Sequence, residues 1–164
     1  MTISRREREF HRKVGAGCFN RTRTYLEMKN RNLEDDQQML HLAHASRYHW
    51  GLVGTPTNIA VGEWQVSRVY AALKQPQLAL QFAESSLAMC KKNALDEFVH
   101  TAYEAIARAY AVGEDYRNAK IFLDKAHRQL DKLTTDRKGR AVYMNQIRET
   151  EALIREKQSV SVHG

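Results

Sequence analysis

Apolar positions recur every three or four residues along most of the chain, the spacing of one face of an α-helix. No run alternates apolar and polar positions over the length of a strand, and Pro and Gly are few. The pattern predicts about seven helices, at residues 5–29, 33–52, 59–73, 76–92, 97–112, 116–132 and 136–157. An all-α fold follows, and the segment 159–164 is expected to fray.

The predicted helix ends carry residues with suitable chemistry. Short polar side chains accept hydrogen bonds from the free N–H groups of a first turn, which predicts three N-caps, at Asn32, Asp96 and Asp115. Pro76 suits the first position of the fourth helix, whereas Pro56 is expected to break the chain after the second. Gly15 and Gly17 are expected to bend or split the first helix.

The strongest regularity is a forty-residue period in the middle of the chain. The matched pairs are Tyr70 with Tyr110, Ala79 with Ala119, Ser86 with Ala126, and Arg68 with Arg108. Such a period is typical of stacked helical units. The chain is therefore predicted to be one domain, 1–164, with a basic, degenerate first repeat (1–57), two clear helix pairs (58–133), a capping helix (134–158) and a tail (159–164).

These matched residues resemble the tetratricopeptide repeat, in which a Tyr of the first helix precedes two small residues of the second. In both units nine residues separate the Tyr from an Ala, and seven more lead to Ser86 or Ala126. The period of forty exceeds the usual value of about 34. Segments 41–53 and 62–70 are also similar to bacterial helical-repeat proteins that have no assigned activity.

The resemblance implies a short right-handed solenoid of antiparallel helix hairpins, acting as a non-catalytic interaction module. Its concave face would bind a peptide, a protein segment or a partner helix. The residues that it places on this face include Trp64 and Arg68 from one unit, and Glu104 and Arg108 from the next. Residues four apart share a helix face.

Two guanidinium groups one repeat apart suit a carboxylate or phosphate, so a partner with an acidic group is expected. The side chains on this face are expected to lie outside the core. An alternative for the same residues is that Arg108 pairs with Glu104 and Arg68 stacks on Trp64. A second functional hypothesis is a small-anion receptor or enzyme with a polar pocket between helices 2, 3 and 5.

A secondary polar cluster is predicted at His44, His49 and Trp50. His41 and His44 lack the His-Glu-x-x-His spacing of zinc proteases, so no metal is expected. The chain contains no nucleophile elbow, P-loop or dinucleotide-binding glycine motif, and so no catalytic residue or cofactor is predicted.

Charge is concentrated at the start of the chain. Residues 1–31 contain nine basic and three acidic residues, or +6 of the total +7. A third functional hypothesis is therefore nucleic-acid association through the basic first helix. This hypothesis is disfavoured because no aromatic stacking pattern accompanies the charge.

The remaining features suggest a reducing compartment. The two cysteines have no Cys-x-x-Cys spacing, no apolar stretch follows the N-terminal charges, and no apolar run reaches the ~18 residues of a membrane span. A cytoplasmic protein without a signal peptide or membrane contact is expected. A homodimer is also predicted, because a short repeat array leaves apolar faces at its ends.

Overall fold

The computed structural model describes residues 2–133 and 136–162. Over these ranges the chain forms seven α-helices and no strand, which confirms the all-α class. The helices are α1 (Arg5–Glu27), α2 (Leu33–Val53), α3 (Pro56–Ala72), α4 (Pro76–Lys92), α5 (Asp96–Val112), α6 (Tyr116–Asp131) and α7 (Arg137–Val162).

The four central helices are nearly equal in length and begin at residues 56, 76, 96 and 116, twenty residues apart. The three turns between them also match. Each turn places one residue at positive φ, namely Lys74, Ala94 and Glu114. The next residue donates its N–H to the carbonyl oxygen five positions back, at 2.9 Å in all three turns. This is the Schellman arrangement, and two such twenty-residue units produce the forty-residue period.

The residues that carry the period occupy matching environments. Tyr70 stacks on Phe82 with ring centroids 5.5 Å apart, and Tyr110 stacks on Phe122 at 5.7 Å. Ala79, on α4, is fully buried in the first of these clusters. The other small residues of the repeat, Ala119, Ser86 and Ala126, are likewise buried.

Buried serines connect the helices of the first two pairs. The hydroxyl of Ser46 on α2 donates to the carbonyl oxygen of Gly15 on α1 at 2.8 Å. Forty residues later, Ser86 on α4 donates to the carbonyl oxygen of Ala60 on α3, also at 2.8 Å. The degenerate first pair thus shares a contact with the second.

Gly15 has a packing role that its conformational freedom alone does not predict. A Cβ atom at this position would lie 3.0 Å from Nε1 of Trp50, so a larger residue would require the Trp50 ring to shift. Gly15 and Gly17 do not split the first helix, because α1 is continuous from Arg5 to Glu27.

Several predicted helix ends are corrected. Asn32 and Asp115 are N-caps as predicted, but the N-cap of α5 is Leu95, and Asp96 is its first helical residue. Pro56 does not merely break the chain: it opens α3 behind Thr55, whose side chain caps the helix. The tail is also not frayed throughout, since α7 continues to Val162. Residues 134, 135, 163 and 164 of the predicted segments lie outside the described residues.

Consecutive helices pack against each other, and the odd-numbered helices are also neighbours: α1 contacts α3, α3 contacts α5, and α5 contacts α7. This packing is consistent with a helical repeat. It brings the predicted site residues of α3 and α5 onto one surface, beside α7. We call this surface the α3–α5 face and define it by Val61, Trp64, Arg68, Thr101, Glu104 and Arg108.

Candidate functional site

The four predicted site residues form two local pairs on the α3–α5 face. The Arg68 guanidinium lies over the Trp64 ring, with its carbon 5.3 Å from the ring centroid. On α5, forty residues further along the chain, Arg108 donates through Nε to Oε1 of Glu104 at 3.0 Å. Both pairings anticipated as the alternative to ligand binding are therefore present.

A carboxylate from α7 joins the two arginines. Oε2 of Glu149 lies 3.2 Å from Nη2 of Arg68 and 3.2 Å from Nη2 of Arg108. Arg108 Nη2 also lies 3.4 Å from the carbonyl oxygen of Gln146. The arginine pair thus binds a carboxylate, as its spacing suggests, but this carboxylate belongs to the same chain.

Beneath this contact lies a buried polar layer. Glu104 is 1% exposed, and its Oε1 accepts a 2.6 Å hydrogen bond from the Thr150 hydroxyl of α7. Its second oxygen, Oε2, has no hydrogen-bond partner among the described residues. The expectation that the side chains of this face lie outside the core is therefore wrong for Glu104. Removing Arg108 would leave a buried carboxylate with much less compensation.

The two arginines differ electrostatically although they share a ligand. Burial, with the positive charge of Arg108 nearby, lowers the pKa of the Arg68 guanidinium. Burial alone would also lower the pKa of Arg108, but the carboxylates of Glu104 and Glu149 outweigh it and raise that pKa. Arg68 is therefore the less compensated cation of the pair and the better candidate to receive an external anion.

Two cavities lie beside the α3–α5 face, and Val61 of that face lines both. The first, of about 100 Å³, is mostly apolar and is closed on one side by Tyr143 and Gln146 of α7. Trp64 also lines it, and its indole N–H has no hydrogen-bond partner among the described residues. The second, of about 190 Å³, lies between α1, α2 and α3. Neither of these two cavities lies between α2, α3 and α5, where the anion-receptor hypothesis expected a polar pocket.

The secondary cluster does not converge on one point. His44 Nε2 lies 2.9 Å from the hydroxyl of Tyr70, and Nδ1 of His49 lies 2.7 Å from Nδ1 of His11 on α1. Trp50 instead lies against Gly15. Burial lowers the pKa of His44, and burial together with His11 lowers that of His49. Each of the three residues is thus engaged by a different neighbour.

The contribution of α7 to the site was missed from the sequence. Glu149 directly precedes the buried Thr150 on α7, and 57% of its side chain is exposed. The signal that the sequence offered was the position of Glu149, one residue after the position that matches Arg108 in the forty-residue period. That position alone does not show that its carboxylate lies between Arg68 and Arg108.

The structure and the comparisons add three findings on the class of protein. No helix within the described ranges is both long and apolar enough to cross a membrane. Across the same residues, no three His, Cys, Asp or Glu side chains are grouped as metal ligands. Comparisons of the chain with protein-family models, with curated proteins and with solved structures found no match. Over the described residues the chain is all-α with seven helices, and the α3–α5 face is where the predicted binding residues meet.

Proposed function

We propose that this protein is an interaction module with a tetratricopeptide-like fold that binds an acidic segment of another protein on its α3–α5 face. In this proposal the helices form a short right-handed solenoid of antiparallel hairpins. The identical turns, the repeated Tyr–Phe stacks and the matching serine contacts support that architecture.

A single observation carries the functional proposal: Glu149 accepts hydrogen bonds from both Arg68 and Arg108. A carboxylate on a helix can therefore satisfy this pair of guanidinium groups, and α7 provides an intramolecular example of the ligand chemistry. Because more than half of the Glu149 side chain is exposed, an acidic side chain of a partner can compete for the same donors. The cavity lined by Val61, Trp64 and Thr101 of the same face offers room for an apolar side chain of the partner.

The buried contact between Arg108 and Glu104 makes Arg68 the better residue to substitute in a binding test. We expect Arg108→Ala to lower the free energy of unfolding by about 3–5 kcal/mol, because it leaves Glu104 buried without its cation. Arg68→Gln should cost less, since its partners are the Trp64 ring and the exposed Glu149. Chemical denaturation of both variants checks this order, and an equal loss of stability would contradict the assignment of Glu104 to Arg108.

The binding proposal is tested with a phage-displayed library of random peptides, selected on immobilised Glu149→Ala protein. This variant frees the arginine pair from its internal carboxylate. We expect enriched peptides to contain Asp or Glu, and to bind the Glu149→Ala variant more tightly than the wild type. Losing one charge-assisted hydrogen bond costs about 1.5–3 kcal/mol, so adding Arg68→Gln should weaken binding by roughly ten- to hundredfold.

Glu156→Ala is the matched control, because Glu156 is exposed on the same helix and its carboxylate has no ion pair in the described part of the chain. It should select and bind as the wild type does. Enriched peptides that lack acidic residues, or that bind Arg68→Gln unchanged, would contradict the proposal.

A further inference from the structure

The solvent-facing side of α1 carries an unusual set of free cations. Six basic side chains are exposed and take part in no ion pair within the described residues: Arg5, Arg6, Arg8, Arg12, Lys13 and Arg21. Their acidic neighbours are few. Glu7 is bonded to Ser4 in the capping box of the helix, which leaves Glu9 as the other acidic residue among them.

The tertiary structure adds an aromatic cluster that the sequence pattern did not reveal. On α1, the Phe10 ring lies 5.5 Å from the ring of His11 and 6.2 Å from that of His49 on α2. The His49 ring in turn contacts Tyr48 at 5.6 Å. The outer members of this row remain accessible, since Phe10 is 58% and Tyr48 64% exposed.

Two of the six cations share a face of α1 with the Phe10 ring. Arg6 is four residues before Phe10 and Lys13 is three residues after it, so both flank the ring on the same side of the helix. His11 and His49 join the helices through their Nδ1 atoms, which lie 2.7 Å apart. The exposed rings are thus held beside positive charge by a contact between α1 and α2.

We propose that this surface of α1 and α2 binds single-stranded nucleic acid, with phosphates on the α1 cations and bases stacked on Phe10 and Tyr48. Base stacking on aromatic side chains beside a positively charged surface is the general mode of sequence-tolerant single-strand binding. The sequence pattern disfavoured nucleic-acid binding because it showed no aromatic residues suited to stacking beside the charge. The tertiary structure supplies such residues. The surface is separate from the α3–α5 face, and the inference does not depend on the proposed peptide binding.

The exposed rings favour single-stranded nucleic acid over the other polyanions that could bind the cations. A duplex keeps its bases stacked inside the helix and offers the rings no face, whereas a flexible single strand presents every base. An acidic protein segment or an anionic lipid surface would satisfy the cations without stacking. A single strand can contact both the cations, through its phosphates, and the exposed rings, through its bases.

Fluorescence anisotropy with the full chain and a labelled oligouridine of about 16 nucleotides tests the proposal, at about 50 mM salt. Phe10→Ala and Tyr48→Ala should each weaken binding about fivefold or more, from the usual effect of removing one stacked base. Arg6→Gln with Lys13→Gln should also reduce the steepness of log affinity against log salt by about 1.4, at about 0.7 per lost phosphate contact.

Lys120→Gln with Arg155→Gln is the charge control, since both residues are exposed on α6 and α7. It removes the same charge and should leave the oligouridine affinity within about twofold, on the expectation that distant exposed charges are screened. Circular dichroism checks that every variant is folded, which is expected because the altered side chains are exposed.

Three results would overturn the proposal. The first is no binding of oligouridine up to about 100 μM protein, the weak end of ordinary non-specific affinity. The second is binding that Phe10→Ala and Tyr48→Ala leave unchanged, which would make the surface purely electrostatic. The third is equal or tighter binding of a duplex of the same length, of polyglutamate, or of vesicles containing phosphatidylserine.

Discussion

At the scale of single residues, several buried polar groups lie together where α5 meets α7. Glu104 shares its Oε1 between Arg108 and Thr150, and four residues earlier His100 is 1% exposed with its ring 4.3 Å from the centroid of Tyr143. Nε2 of His100 has no partner within the described part of the chain. Buried polar groups of this kind are costly to charge or to leave unpaired, and they make stability sensitive to pH and to substitution.

His100 provides a prediction about pH. Burial lowers its pKa to about 4, although Glu104 opposes the effect. The unfolded chain has a histidine pKa near 6.5, so between these values it binds more protons than the folded chain. The stability contributed by neutral His100 is complete above about pH 6.5 and is lost as the pH falls towards 4. Thermal unfolding from pH 7 to about pH 4.5 should show a decrease worth about 1–3 kcal/mol.

His100→Gln removes the titrating group at similar size and should make this decrease smaller. His41→Gln is the matched control, because His41 is exposed on α2 and should leave the pH dependence as it is in the wild type. A pH profile that is identical in His100→Gln and the wild type would show that His100 does not cause the decrease.

At the scale of helices and turns, the notable feature is that non-glycine residues hold the left-handed position in all three central turns. Lys74, Ala94 and Glu114 have φ of 56°, 52° and 64°. The left-handed conformation costs an L-residue about 1–2 kcal/mol because its Cβ approaches the following carbonyl oxygen. The surrounding helix packing and the recurring Schellman hydrogen bonds offset this cost.

We predict that Ala94→Gly stabilises the protein by about 0.5–1 kcal/mol. Glycine removes the left-handed penalty but adds conformational entropy to the unfolded chain, so part of the gain is lost. Ala94 is the cleanest of the three positions because it is exposed and, unlike Glu114, forms no ion pair. The free energy of unfolding in urea measures the change.

Ala88→Gly is the control for this prediction, since Ala88 is exposed in the interior of α4. There the same substitution should destabilise the protein by about 1 kcal/mol. Loss of stability in both variants would contradict the strain that we assign to the turn.

At the scale of the whole molecule, α7 is the last helix of the array and packs against α5 and α6. Ile147 and Ile154 of α7 are buried in the cluster formed with α5 and α6, including Leu123 and Leu130. Outward-facing apolar side chains nevertheless remain on the last two helices, at Ile121 and Val142. The capping helix therefore does not make the end of the array fully polar.

The predicted homodimer is argued from these exposed apolar positions. Burying such side chains against a second copy would recover part of their hydrophobic free energy, at about 25 cal/mol per Å². Sedimentation velocity at tens of micromolar should detect a dimer that Ile121→Glu and Val142→Glu together convert to a monomer. Leu33→Glu is the control, because Leu33 is even more exposed than Ile121 and Val142 but lies on α2. Sedimentation of the wild-type protein as a monomer would contradict the predicted homodimer.

The seven helices, the small residues of the repeat and the Asn32 cap follow from local spacing and chemistry, and all were predicted from the sequence. Local interactions act over a few residues, so a linear pattern records them. The position of Glu149 between Arg68 and Arg108, and of Phe10 beside His49, depends on how distant helices cross, and no short segment encodes a crossing. The packing role of Gly15 was missed for the same reason. Gly15 leaves its own helix continuous, and its main effect is to make room for the Trp50 ring of α2.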